Sequence, residues 1–136
     1  MKKTVSALLI LFSLLSLPAT LLADDLDALL RQMIIGTWEE GNVPYGTVSF
    51  SPDGTYRAEM FSTKDQHNRL LRLEGTWVIK DSELHSNLTS SSSTKAPIGE
   101  TFVDIIVQIN RNELVLIGVD GQKYSKFRVQ DETSAK

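Results

Sequence analysis

The sequence predicts an all-β fold: an eight-stranded up-and-down antiparallel barrel preceded by a short N-terminal helix. The apolar residues change from helical to alternating spacing near Ile34, and alternation is typical of half-buried strands. Turn-forming residues then recur at short intervals, and Asp120-Gly121 between two apolar runs is the strongest hairpin signal. A meander of this kind has exposed edges unless it closes, so we expect a closed barrel.

The first 23 residues have the composition of a secretory leader. Two lysines precede an apolar run, Pro18 interrupts it, and Ala23 offers a small residue for cleavage. We therefore expect a signal peptide over residues 1–23, cleavage after Ala23, and a periplasmic or secreted protein. A cut after Ala19 is the second choice. The alternative is an uncleaved membrane anchor, although Pro18 leaves the run short for a bilayer span.

The rest of the chain is predicted to be one domain, residues 24–130, with a flexible polar tail at 131–136. The net charge of −3 becomes more negative without the two leader lysines. This acidic surplus, with no basic stripe, argues against a nucleic-acid partner. We expect no membrane association after cleavage. Because the chain has no cysteine, core burial and strand pairing must hold the fold without disulfides.

A helix is predicted directly after the leader, because Leu26, Leu29, Leu30 and Met33 share one helical face. We expect that face to cover the sheet. A Ser-rich stretch, residues 90–99, is expected to be a flexible loop. The predicted strands are Ile34–Glu39, Tyr45–Phe50, Thr55–Phe61, Leu70–Ile79, Glu83–Leu88, Thr101–Ile109, Leu114–Val119 and Lys123–Val129.

Alternation also predicts which side chains face the interior. The sixth strand is the most apolar, and its pattern predicts an inward face and an outward face. The predicted inward residues are Val103, Ile105, Val107 and Ile109, and the predicted outward residues are Asp104 and Gln108. Leu71, Leu73, Gly75, Trp77 and Ile79 are predicted to face inward from the fourth strand.

Three segments resemble a known family. Ile35-Gly36-Thr37-Trp38 after a short helix looks like the Gly-x-Trp opening of lipocalins and of small bacterial lipocalin-like domains. The segments at residues 50–56 and 75–79 resemble later strands of those bacterial domains. The resemblance implies a structural latch of Gly36, Trp38 and Arg128, in which the arginine stacks on the tryptophan. Lys126 is the fallback for the arginine.

The lipocalin-like resemblance also implies a binding function. We expect an exported protein for a small hydrophobic or amphiphilic ligand, without a cofactor. Its candidate cavity-lining residues are Trp38, Tyr56, Met60, Trp77, Phe102, Ile105 and Tyr124. The alternative for the aromatic residues is that they fill the core, since an eight-stranded barrel can be filled by its own side chains.

No catalytic set is recognisable, so we do not expect an enzyme. Thiol catalysis is excluded by the lack of cysteine, and the two histidines, His67 and His85, have no ligand partner at useful spacing, so we expect no metal site. The alternative function is a protein-interaction module, an inhibitor or assembly partner, that acts through rim loops such as residues 89–99.

Overall fold

The computed structural model describes residues 19–41 and 44–130. Most of the predicted signal peptide, residues 1–18, and the predicted tail, 131–136, lie outside the described residues, and the predicted cleavage site after Ala23 lies inside the helix. The elements are α1 (Ala19–Ile34), β1 (Gly36–Glu40), β2 (Tyr45–Phe50), β3 (Thr55–Phe61), β4 (Arg69–Lys80), β5 (Glu83–Ser91), β6 (Thr101–Ile109), β7 (Glu113–Ile117) and β8 (Lys123–Arg128).

The eight strands form a closed barrel in chain order, with every neighbouring pair antiparallel and β8 paired to β1. The predicted up-and-down barrel is therefore confirmed. Closure gives each strand two hydrogen-bonded neighbours, which removes the free edges that an open meander would expose. β5 extends to Ser91, farther than predicted, because Leu73 and Glu74 of β4 continue the ladder past a register shift.

The two ends of the barrel differ. At one end, which we call the plugged end, lie α1 and the β2–β3, β4–β5 and β6–β7 turns; the other, the open end, carries the longer β3–β4 and β5–β6 loops. Asp27 of α1 accepts hydrogen bonds from the backbone N–H groups of Asp81 and Ser82, each at 2.8 Å. Both turn residues have positive φ, as a tight hairpin turn requires. Asp27 thereby fixes the helix to the β4–β5 turn.

The core lies toward the plugged end. Leu30 and Ile34 of α1 are buried against Trp38, Trp77 and the inner faces of the strands. Such burial of large apolar side chains is the main stabilising contribution in a domain without disulfides. Other members of this core are Phe50, Tyr56, Ile79, Leu84, Leu114 and Leu116.

The predicted inward face of β6 is wrong for Ile105 and Val107, whereas Ile109 packs on the core as predicted. Ile105 and Val107 are 49% and 47% exposed, whereas Ile106 packs on the core. Asp104 pairs with Leu84, which is buried, so Asp104 lies on the inner face. A register shift between Ile106 and Gln108 changes the phase of the strand, and a bulge of this kind cannot be deduced from strict alternation.

The predicted face of α1 is only partly right. Leu30 is buried, but Leu26 and Leu29 are 45% and 52% exposed. The helix instead directs Leu30, Ile34 and Asp27 toward the barrel. Leu30 and Ile34 pack in the core, and Asp27 accepts hydrogen bonds from the β4–β5 turn. Among the described residues, no helical segment has the length and apolar content that crossing a bilayer needs.

Because Ile106 packs on the core and Ile105 faces solvent, truncating the two side chains should change the stability of the fold by different amounts. Ile106→Ala should lower the free energy of unfolding by about 2 kcal/mol or more, because it removes apolar atoms from the core. Ile105→Ala should cost less than half as much, because its side chain is half exposed. Chemical denaturation of both variants measures the two values, and equal losses would contradict the assignment of the faces.

Candidate functional site

A latch of three residues closes the plugged end. The Arg128 guanidinium lies over the Trp38 ring, with 4.1 Å from Cζ to the ring centroid. It also donates hydrogen bonds to the carbonyl oxygens of Ile35 at 2.8 Å and Met33 at 2.6 Å. Gly36 has φ +127°, and a Cβ there would lie 2.5 Å from an Arg128 nitrogen. The position therefore needs glycine both for its backbone conformation and for the arginine beside it. Arg128 Nε also donates to the carbonyl oxygen of Arg111, so the latch joins four segments of the chain and has a structural role.

A second arginine acts in the same way on the other tryptophan. Arg31 of α1 lies 4.8 Å from the centroid of Trp77 and donates to the carbonyl oxygen of Pro52. Trp77 donates its own ring N–H to the carbonyl oxygen of Ser51. Both tryptophans are thus nearly fully buried parts of the plug, at 0% and 4% exposure. Neither lines the two hollows inside the barrel that are described next.

Two adjoining hollows lie inside the barrel toward the open end. The larger, which we call the apolar chamber, has a volume of about 320 Å³. The smaller, the charged chamber, has a volume of about 110 Å³ and includes Glu40 and Lys126 in its wall. Leu71 and Leu73 line both chambers, so the two are neighbours. The apolar chamber is lined by Tyr56, Leu71, Leu73, Leu88, Ser93, Lys95, Ala96, Pro97 and Phe102.

The β5–β6 loop forms one wall of the apolar chamber. The stretch predicted to be a flexible loop is held by backbone hydrogen bonds to neighbouring strands: Ser92 donates to Arg72, Gly99 donates to Leu88, and Leu88 donates to Glu100. The Asn87 side chain adds a bond to the carbonyl oxygen of Gly99 at 3.1 Å. The loop is therefore part of the chamber wall, and its Ala96 and Pro97 line the hollow.

Charged side chains face the interior from β1, β6 and β8. Lys126 pairs in register with Leu114, which is fully buried, and its ammonium donates to the Glu40 carboxylate across the β1–β8 seam. Tyr124 lies two residues earlier on the same face of β8, and its hydroxyl donates to Asp120. The hydrogen bond to Asp120 raises the pKa of Tyr124, and the same bond lowers the pKa of Asp120. In both contacts the charged group is therefore paired with another side chain of the barrel.

Asp104 differs from these paired groups. Burial raises the pKa of its carboxyl, the nearby Lys126 lowers it by a smaller amount, and Asp120 raises it further. Among the described residues no hydrogen bond to Asp104 contributes to this balance. A desolvated carboxylate without a direct partner costs folding free energy, and such groups are concentrated at functional sites.

The predicted cavity residues divide into four groups: those that line the hollows, one at the rim, two in the plug and one outside the barrel. Phe102 and Tyr56 line the apolar chamber, and Met60 lines the charged chamber. Tyr124 lies on the inner face near the rim and is 41% exposed. Trp38 and Trp77 belong to the plug, as described above. Ile105 faces solvent on the outside of β6, so its assignment to the cavity is wrong.

The sequence-based prediction missed the charged wall. Asp104 was placed on the outer face because the bulge in β6 was not foreseen. Lys126 was considered only as a latch residue, although it lies midway between Tyr124 and Arg128 in a strand. Since side chains two residues apart share a face, that spacing could have placed Lys126 inside the barrel.

A larger hollow, about 660 Å³, lies elsewhere, mainly over the outer face of β2–β4. Its charged groups already satisfy each other, because Arg57 donates to Glu74 at 2.9 Å. Most of its lining residues are polar or charged, whereas small-molecule sites are usually lined mainly by apolar side chains. In the described part of the chain, no group of three or more histidine and acidic side chains is arranged to hold a metal ion.

The arrangement defines a class of protein: a small closed β-barrel with one end plugged by a helix and an amphiphilic hollow at the other. No family model and no curated protein sequence matches the chain. A solved structure that is similar is the NMR structure of a protein from Bacteroides thetaiotaomicron VPI-5482. It shares 16% sequence identity and a TM-score of 0.50, over 74% of this chain and 92% of the other. This likeness supports the fold alone.

The latch can be tested without removing its charge. Arg128→Lys should lower the free energy of unfolding by about 1–3 kcal/mol, because an ammonium cannot stack on Trp38 and reach both carbonyl oxygens together. Arg57→Lys, at an exposed ion pair, is the matched control and should change stability by about 0.5 kcal/mol or less. Equal effects in urea denaturation would show that the latch contributes no more than a surface pair.

The half-buried carboxyl of Asp104 predicts that stability depends on pH. Because the folded-state pKa of Asp104 is raised, its ionised form destabilises the fold at neutral pH, and this cost vanishes once acid protonates it in both states. Asp104→Asn should therefore raise the denaturation midpoint at pH 7, and its advantage should shrink toward about pH 3.

The control for Asp104→Asn is Asp53→Asn, which should behave in the opposite way. Hydrogen bonds from Thr55 lower the pKa of Asp53, so its ionised form stabilises the fold at neutral pH, and that contribution is lost as the pH falls through the folded-state pKa. Denaturation across this pH range measures both variants. A destabilised Asp104→Asn protein at pH 7 would contradict the prediction.

Proposed function

We propose that this chain is an exported, lipocalin-like binding protein that holds a small hydrophobic or amphiphilic molecule in the hollow at the open end. The observation that carries the proposal is the apolar chamber, with Leu71, Leu73 and Phe102 in its wall, directly beside a charged chamber. Small-molecule sites are typically concave and mostly apolar, with a few polar groups that orient the ligand.

The division of the barrel into a packed, plugged end and a hollow, open end supports this function. The core, the helix and both tryptophans fill the plugged end, so folding does not depend on filling the open end as well. Interior apolar side chains near the mouth, such as Leu71 and Leu73, remain only partly buried. An apolar guest would remove this surface from water, which is favourable by about 25 cal/mol per Å².

The β5–β6 loop bears on the alternative function, a protein-interaction module acting through rim loops. Its Ser93, Lys95, Ala96 and Pro97 line the chamber, and its backbone is hydrogen-bonded to β4 and β5. A segment packed in this way serves as a wall of the hollow. Its contacts therefore favour ligand binding over partner capture.

Expression of the whole chain in a bacterial host tests export and binding together. Protein recovered from the periplasm should have the mass expected after loss of residues 1–23. It should also bind the neutral dye N-phenyl-1-naphthylamine with one-to-one saturation and increased fluorescence, because the dye enters an apolar site. A full-length mass would contradict export, and absence of saturable binding would contradict the proposed function.

Two neighbouring leucines provide the matched control for this dye titration. Leu71→Asp places a charge in the wall shared by both chambers and should weaken dye binding at least about tenfold. Leu70→Asp changes the adjacent side chain, which is 54% exposed, and should leave binding unchanged. Circular dichroism verifies that both variants fold. Equal dye affinity in the two variants would place the dye outside the proposed hollow.

A further inference from the structure

The charged side chains around the two hollows are not equally satisfied. Glu40 and Lys126 of the charged chamber contact each other, and Glu59, which also lines that chamber, is paired with Arg69 at 3.2 Å. Lys95 is the charged side chain among the residues that line the apolar chamber. None of the ion pairs in the described part of the chain includes Lys95. The charge at the apolar chamber is therefore positive and has no direct counter-charge there.

The carboxylates near the apolar chamber do not change this balance, because they lie outside its lining. Asp104 follows Phe102 by two residues in the direction of the plugged end, and it lines neither hollow. Lys126 is close enough to Asp104 to lower its pKa. Glu100, at the end of the β5–β6 loop, is exposed and also lines neither hollow. Lys95 therefore supplies the charge that a molecule in the apolar chamber meets directly.

Two hydroxyl groups accompany Lys95 in the lining of the apolar chamber. The Ser93 oxygen accepts the backbone N–H of Lys95 at 3.2 Å, and the Ser93 hydroxyl donates to no other described group. Tyr56, whose ring also borders the outer groove over β2–β4, is 9% exposed, and its hydroxyl makes no hydrogen bond within the described residues. A hydroxyl can donate or accept, whereas an ammonium can only donate. This set of polar groups suits an acceptor that carries a negative charge.

The rest of the apolar chamber suits a hydrocarbon chain. Leu71, Leu73, Leu88 and Phe102 contribute most of its apolar lining. Its volume of about 320 Å³ is near the lower end of the range of about 300–1,000 Å³ that is typical of small-molecule sites. The chamber therefore suits one short apolar chain better than a bulky ring system.

We propose that the hollow is selective for single-chain amphiphiles with a carboxylate head group, and that Lys95 binds the carboxylate at the β5–β6 loop. This inference rests on the proposed function, since it names the ligand class of the same site. The apolar chain contacts Leu71, Leu73 and Phe102. The carboxylate accepts a charge-assisted hydrogen bond from the Lys95 ammonium and a second hydrogen bond from the Ser93 hydroxyl. Because Lys95 is exposed, the head group keeps contact with water, which avoids the cost of burying a carboxylate.

Three ligands of equal chain length test the inference: decanoate, decanol and decylamine. Each is titrated at pH 7 against bound N-phenyl-1-naphthylamine, below the concentration at which it forms aggregates. Decanoate should displace the dye at least about fivefold more tightly than decanol, and decylamine should have no such advantage. Added salt should reduce the advantage of decanoate over decanol, because the contact with Lys95 is exposed to solvent.

Two lysines at the open end provide the matched variants. Lys95→Met should remove the advantage of decanoate and leave the affinity for decanol within about twofold. Lys123→Met removes an exposed cation at the start of β8, outside the lining of both hollows, and should leave all three affinities within about twofold. Equal losses of decanoate affinity in the two variants would show a general attraction by surface charge, and the inference would fail.

The remaining outcomes separate the two proposals. If decanol or decylamine displaces the dye as tightly as decanoate does, the hollow does not select for a carboxylate, and the inference fails while the proposed function stands. If Lys95→Met leaves the advantage of decanoate intact, or weakens decanol equally, Lys95 does not bind the head group, and the inference fails. If the dye does not bind at all, the proposed function itself fails.

Discussion

The fold depends on how β8 is joined to β1. The ladder between these strands is short, with Trp38 opposite Arg128. The Arg128 side chain adds contacts between the last strand and the start of the chain that this short ladder does not provide. Its guanidinium covers the Trp38 ring and bonds to carbonyl oxygens at the end of α1 and before β1. One side chain thus joins the last strand, the first strand and the helix. Without this junction the barrel would have two free edges.

The junction also divides the interior into two parts. The latch and α1 gather the large apolar side chains at one end, where Trp38, Ile34 and Leu114 are fully buried. The remaining interior does not need to be close-packed for the chain to fold, so it can contain a hollow and charged groups. Polar side chains such as Lys126 are tolerated there because they are paired or near solvent.

Most of the architecture could be predicted from the sequence because strand and turn signals are local. Asp120-Gly121 and Pro52-Asp53-Gly54 marked the hairpins, and every strand was predicted within a few residues of its observed bounds. It was harder to predict which side chains face the interior. The phase of β6 depends on a bulge beside Val107, and the buried face of α1 depends on where Asp27 meets the β4–β5 turn. Both are set by tertiary contacts that no local pattern contains.

Asp104 is an inner-face charge that has a cost for the fold. A fold optimised for stability alone would place an apolar side chain opposite Leu84, because a desolvated carboxylate reduces the free energy of unfolding at neutral pH. The paired charges nearby have structural explanations in the seam and in the Tyr124–Asp120 contact. Asp104 has none among the described residues.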